Sequence, residues 1–402
     1  MPIVPLSELL GQPQASAFLR GVIARGRFAN AYLFHGPAGV GKGTAALAFA
    51  RAILCDRRAG AAPDSGPDLF GGVAAAAPVA PLDDACGQCA ACLKSGALQH
   101  PDLKFVFPVS GEEKDLDETI RETLEAVREN PRFAFTYEKA ASIRISITRA
   151  LLRELAFKPF EAHHRVVVVR DADRMREDQY SAMLKAIEEP GAATIWVLTT
   201  ARPTRLPPTI RSRTQRVRFM PLAEDLITEV LEKVAGEKPR NARMLAALSS
   251  GSLARAMVLR ESDPLALRDQ ALALLAQASR GDAPGLWKAV QSMNRLGRSG
   301  RETLRRLVEF QELWLRDLLR ARYGAPREML VHRDREAEIR REAERIDATE
   351  IRRRLMTLED AMRAIEGNVT PDLALFSAMS RLNDPTLEEA EWPRHANERY
   401  RY

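Results

Sequence analysis

The sequence predicts a doubly wound α/β domain followed by all-helical domains. Three observations lead there. Short runs that are apolar at every position alternate with helical patterns over residues 1–218, as in a parallel sheet covered on both faces. One of those runs leads into GPAGVGKGT, residues 36–44, and then into a helix. After residue 219 no convincing strand remains, and amphipathic helical patterns follow.

The predicted strands are Ala31–Phe34, Lys104–Phe107, Val166–Val169 and Ile195–Leu198. Thr44–Leu54 places Leu47, Ala50 and Leu54 on one helical face, and Asp178–Glu189 reads as a helix stopped by Pro190-Gly191. Two stretches interrupt the alternation. Ala59–Ala80, rich in Ala, Gly and Pro, reads as a flexible insertion. Ser110–Arg132 is charged and reads as a helical excursion. The expected domains are residues 1–218, a small helical domain at 219–262, a helical C-terminal domain at 263–385 and a polar tail at 386–402. Within the C-terminal domain, His332–Arg354 mixes both charge signs at helical spacing. It reads as a solvated face, with an acidic partner as the alternative.

Composition narrows the function classes. The 402 residues are 46% hydrophobic and 28% charged, as in ordinary soluble proteins. A net charge of +6 permits contact with nucleic acid without requiring it. The start, MPIVPLSELL, lacks a basic segment and an apolar core of signal-peptide type. No apolar run has the length of a membrane span. The expectation is a cytoplasmic protein without a membrane partner.

The stretch Gly36, Gly39, Gly41 and Lys42 matches the phosphate loop G-x-x-x-x-G-K-[ST] up to its last position. Its glycines let backbone N–H groups close on phosphate oxygens, and Lys42 and the helix N-terminus supply positive charge. The position that should offer a hydroxyl to Mg²⁺ is Gly43. Thr44 is the nearest substitute, turned by about 100° on the helix.

Hydrolysis also needs an acidic residue after a second strand. Arg165–Val169 is that strand, and Arg170 follows it, then Asp171, Ala172 and Asp173. If Arg170 holds the metal-directed position, a cation sits where the ion belongs, a repulsion of roughly several kcal/mol at intermediate dielectric. A shift of one residue would instead make Asp171 the metal ligand. With both positions altered, ATP binding is expected to be weak and hydrolysis absent or weak.

All four cysteines fall at Cys55, Cys86, Cys89 and Cys92. The C-x₂-C-x₂-C spacing with one distal thiol suits a closed tetrahedral zinc site of structural type, although such spacing also occurs in iron–sulfur ligation.

Several motifs together resemble the bacterial DNA polymerase III clamp-loader subunits of the AAA+ superfamily. They are Gly11-Gln12, Ala31-Tyr32-Leu33-Phe34-His35-Gly36, His100-Pro101-Asp102-Leu103, Lys185-Ala186-Ile187-Glu188-Glu189-Pro190 and Leu206-Pro207-Pro208-Thr209-Ile210-Arg211-Ser212-Arg213. The likeness is strong over about residues 7–220. It continues weakly through Gly251–Ala256, Trp314–Leu319 and Asn368–Pro371. It implies an AAA+ domain with a four-cysteine zinc module at 55–92, a helical lid and a helical collar for oligomerisation. The gamma/tau motor type keeps an intact loop, an Asp-Glu after the second strand and an arginine in its Gly-Ser-x-Arg lid motif. Here those places hold Gly43, Arg170-Asp171 and Ala254, departures that the delta-prime type tolerates.

The resemblance therefore implies a delta-prime-like stator. Its partners would be gamma/tau and delta and, through the assembly, the sliding clamp and primed DNA. Arg213, from the Ser-Arg pair, would reach a neighbouring subunit's ATP, with Thr214 where the family usually has a cysteine. The alternative is a working gamma/tau-like ATPase. A zinc-dependent DNA-binding module is disfavoured because no recognition helix stands out.

Overall fold

The computed structural model describes residues 4–57, 82–109, 116–130, 141–188, 193–261, 263–294, 300–366 and 369–384. The expected insertion at 59–80 and the polar tail at 386–402 lie outside these residues, as does the end of the Lys185–Pro190 motif. The described chain forms two compact units, the first ending at Val258 and the second beginning at Leu259.

The first unit is built on five parallel strands: β1 (Ala31–His35), β2 (Leu103–Val106), β3 (Arg165–Val169), β4 (Thr194–Thr200) and β5 (Gln215–Arg218). Their order across the sheet is β2-β3-β4-β1-β5. Helices α1 (Pro13–Arg25) and α2 (Lys42–Leu54) precede and follow β1, and α3 (Ala90–Gly96) follows α2. Then come α4 (Leu116–Glu129), α5 (Ile145–Leu155), α6 (Glu177–Glu188) and α7 (Pro208–Arg213). α4 lies within the charged stretch read as a helical excursion. Three short helices, α8 (Glu224–Lys233), α9 (Pro239–Leu248) and α10 (Leu253–Arg260), follow the sheet.

Alternation along the strands sends side chains into two cores. Tyr32, Phe34, Val166, Val168, Ile195 and Val197 join Leu19, Ile23, Phe49 and Ile53 from α1 and α2 on one face. Leu33, Val167, Val169, Trp196 and Leu198 join Leu151, Met183, Ile187 and Ile210 on the other. Each such side chain contributes about 1.5–3 kcal/mol by leaving water. Because β1, β3 and β4 are buried on both faces, they read as continuous apolar runs. β5 does not. Its residues are Gln215, Arg216, Val217 and Arg218, and only Val217 is buried. It therefore carries no apolar run that would mark it as a strand, and exposed charges suit an edge strand.

The His100–Leu103 motif proves to be structural. The Asp102 carboxylate is fully buried and accepts the N–H groups of Phe160 (2.7 Å), Glu161 (2.8 Å) and Ala162 (2.9 Å). Buried Arg165 stands 3.7 Å from it. Arg165 donates to the carbonyls of Glu154, Phe157 and Lys158. The pair thus ties the entry of β3 to the start of β2. Burial alone pushes Asp102 up, but the three N–H donors outweigh it and hold the carboxyl below its usual range.

The second unit is all-helical: α11 (Pro264–Ala278), α12 (Ala283–Asn294), α13 (Gly300–Arg322), α14 (Glu336–Arg345), α15 (Ala348–Glu366) and α16 (Pro371–Asn383). Some charges in 332–354 pair within their helices, as Arg340 does with Glu336 and Arg353 and Arg354 do with Glu350, whereas Asp334 and Arg335 pair with Arg268 and Asp269 of α11. His332 departs from the solvated reading. It is fully buried against Asp317, Nδ1 to Oδ2 2.9 Å, with its own N–H 2.8 Å from the same oxygen. Among the described residues, no helix is long and apolar enough to cross a membrane.

Candidate functional site

The phosphate loop leaves the end of β1 and enters α2 at Lys42, two residues earlier than the helical pattern suggested. Gly36, Gly39 and Gly41 all have positive φ, at 148°, 74° and 97°. Side chains are excluded for a second reason at two of them. A Cβ on Gly36 would lie 2.2 Å from the Phe219 carbonyl oxygen, and one on Gly39 would lie 2.1 Å from Ser252 Oγ. At Gly41 a Cβ would meet nothing within 4 Å, so open space remains where α2 begins. The first N–H groups of α2 have no carbonyl ahead of them in the helix.

The loop is braced from two sides. Gln12 is buried and bridges the chain, with Nε2 donating to the carbonyls of Met220 (2.7 Å) and Val40 (3.3 Å) and Oε1 accepting from Met220 N–H. The start of α10 lies on Gly39, whose carbonyl accepts the Ala254 N–H at 3.3 Å. Ser252 and Ala254 are more than 200 positions from the loop, and no local pattern announces this packing.

Lys42 is buried, and its Nζ donates to the carbonyls of Gly36 (2.8 Å) and Pro37 (2.5 Å). Burial pulls its ammonium down to about 8; Asp171 opposes the shift and Arg170 adds to it.

The metal corner decides what this loop can do. Arg170 follows β3, and its Nη1 lies 2.5 Å from the point where a Gly43 Cβ would stand. The guanidinium occupies the space that a Ser or Thr side chain would need. Arg170 Nε is 3.5 Å from Asp171 Oδ2. Asp171 itself adopts a left-handed backbone, φ 46°. Asp173 accepts from Thr200 Oγ1 at 2.7 Å. The residues do not fit Mg²⁺: the hydroxyl is missing, and a cation fills the corner that oxygen donors should line. An ion about 4 Å from that guanidinium would meet a repulsion of several kcal/mol at an effective dielectric near 20. Thr44 is half-buried one position further along α2.

The four cysteine sulfurs lie within 4.8 Å of one another. Cys55 follows α2, and Cys89 caps α3. Cys55 and Cys89 are 3.9 Å apart, as are Cys86 and Cys92. A tetrahedral ion with metal–sulfur bonds of about 2.3 Å sets its sulfurs about 3.8 Å apart, so the four thiols fit one. Three N–H groups, of Cys86, Cys89 and Cys92, point at sulfurs of Cys55, Cys86 and Cys89. The hydrogen bond from Cys92 pulls the Cys55 thiol down to about 5, and the same contact pushes Cys92 up.

Arg213 ends α7 and is exposed, its Nη1 3.3 Å from the Thr209 carbonyl. Gln215 is level with Tyr32 across the β5–β1 pair, so Arg213 precedes the strand at the end where β1 begins. The phosphate loop leaves the other end, about 13 Å of strand beyond Tyr32. Arg213 and the chain's own phosphate loop therefore lie at opposite ends of the neighbouring strands β5 and β1.

The family model for DNA polymerase III, delta subunit, matches residues 11–67 and 76–223, half of the chain. A Bacillus subtilis DNA polymerase III subunit delta' is 28% identical over 255 residues, 63% of this chain and 61% of that protein. A Mycobacterium tuberculosis DNA polymerase III subunit gamma/tau is 26% identical over 418 residues, 96% of this chain and 62% of that protein. The chain thus spans under two thirds of the length of these relatives. A solved gamma-subunit-related protein of Thermotoga maritima is 18% identical, with a TM-score of 0.31 over 73% of this chain and 97% of its own.

Proposed function

This chain belongs to the DNA polymerase III delta subunit family of AAA+ clamp-loader subunits, and on that premise we propose that it is a delta-prime-like stator. It holds the assembly together and gives Arg213 to the ATP site of a neighbouring subunit. The observation that carries the reading is Arg170 packed on Gly43. It supports a loop that does not assemble a magnesium site of its own. The position of Arg213, exposed and at the opposite strand ends from that loop, agrees with action on another chain.

In this reading residues 219–262 serve as a lid and 263–385 as the collar through which subunits join. Gamma/tau and delta types are the direct partners. The sliding clamp and primed DNA are reached through the assembly, in the cytoplasm. Cys55, Cys86, Cys89 and Cys92 hold zinc as a structural ion. Both delta' and gamma/tau proteins are among the relatives, so a motor subunit is the competing reading. Steady-state ATP hydrolysis by the isolated chain separates the two. The stator shows none above background. Turnover that Lys42→Ala abolishes makes the chain a motor.

A further inference from the structure

Three features of the phosphate loop belong together. Gly43 offers no hydroxyl. Arg170 brings its guanidinium to within 2.5 Å of the place where a Gly43 Cβ would be. The nearby carboxylates are engaged, Asp171 with Arg170 at 3.5 Å and Asp173 with Thr200 at 2.7 Å. What an anion needs is nevertheless retained. Lys42 sits in the loop, the first N–H groups of α2 face outward, and space is open beside Gly41.

We propose that Arg170 is a resident cation standing in for the divalent metal, so that the loop takes the metal-free polyphosphate of a nucleotide. The proposal rests on reading the chain as a phosphate-loop subunit of a clamp loader that does not hydrolyse ATP itself. A guanidinium matches phosphate oxygens with a planar fork of N–H donors. Mg²⁺ instead demands about six oxygens in octahedral array at 2.0–2.1 Å, and the corner where they would gather is filled by Arg170. A metal-bound nucleotide brings a second cation against the first. A free nucleotide brings only negative charge to Lys42 and Arg170. The fall of Lys42 to about 8 adds a signature: binding weakens as pH rises through 8, because the ammonium that meets the phosphate is lost.

The test is calorimetric titration of ATP into the full-length chain. It is run in buffer passed over chelating resin, then with excess Mg²⁺. Resin-treated buffer avoids a soluble chelator that would strip the cysteine site. ATP binds the wild type without metal, and Mg²⁺ leaves the affinity unchanged or lower. Gly43→Thr with Arg170→Asp restores a hydroxyl and a carboxylate, and Mg²⁺ then tightens binding by about tenfold or more, 1.4 kcal/mol. If that variant does not fold, judged by its thermal melt, the wild-type comparison decides alone. Tighter wild-type binding with Mg²⁺ overturns the proposal, and so does no binding of ATP in either buffer. The second result leaves the stator reading standing, since a stator needs no nucleotide of its own. Magnesium-dependent turnover by the wild type takes both down.

Discussion

The Arg170 guanidinium lies where a side chain on Gly43 would have to go, Nη1 2.5 Å from the missing Cβ. Two departures from a working phosphate loop, 127 positions apart, are one structural fact. Glycine makes room for arginine, and arginine closes the place of the metal.

That contact predicts a measurable coupling. Gly43→Thr alone forces the Arg170 guanidinium, the far end of a flexible side chain, to move, at a cost of about 1 kcal/mol. In an Arg170→Ala background that cost is absent, a coupling of about 0.5–1 kcal/mol. Chemical denaturation of the four proteins measures it. Strictly additive costs refute the contact.

The cysteine cluster predicts about one zinc per chain. Removing one thiolate, as in Cys89→Ala, opens the site, and metal affinity is partly folding free energy. The melting temperature falls by about 2–4 °C for each kcal/mol lost in a unit of this size. Elemental analysis that finds iron, with visible absorption, or no metal contradicts the assignment.

These sites were unequally legible in the sequence. β1, β3 and β4 announce themselves because both of their faces are buried. β5 hides because three of its four side chains face solvent. The cysteines are legible by spacing, although 30 residues part Cys55 from Cys86. Their convergence depends on α2 ending where α3 begins its return. The roles of Asp102 and Arg170 are not local properties. Asp102 meets backbone 58–60 residues away, and Arg170 meets Gly43 because the chain after β3 arrives beside the start of α2. The sequence names the residues at the metal corner but leaves their register open. The contact with Gly43 favours Arg170 over Asp171 as the residue in the metal-directed position.

Asp102 predicts a pH-dependent stability difference. Its folded pKa is depressed, so its contribution is fully present above the unfolded value near 3.9 and is lost as pH falls through the folded value. Asp102→Asn therefore costs most near neutral pH, about 3–5 kcal/mol if the Arg165 charge is left uncompensated. The cost shrinks below about pH 4. Denaturation curves of both proteins across that range test it. A cost that stays constant into acid shows that the carboxylate charge is irrelevant.

Asp317 anchors the second unit in the same manner. Burial raises it, but His332 and the N–H groups of Val331 and His332 hold it below its usual range. Asp317→Ala leaves those donors buried without an acceptor and costs about 3–5 kcal/mol. Circular dichroism melts read the loss. An unchanged melt shows that the turn between α13 and α14 holds without the carboxylate.

In the proposed stator, Arg213 acts on a catalytic site that its own chain does not contain. The direct measurement is ATP hydrolysis by the assembly reconstituted with its partner subunits, comparing Arg213→Ala with Lys42→Ala in this chain alone. Removing an arginine supplied in trans costs about 10³–10⁵ at one site, diluted in an assembly with several. A stator gives slowed hydrolysis for Arg213→Ala, with fold and zinc content unchanged, and near wild-type hydrolysis for Lys42→Ala. The opposite pattern, a loss confined to Lys42→Ala, would mean that the chain burns its own ATP and that Arg213 is surface charge.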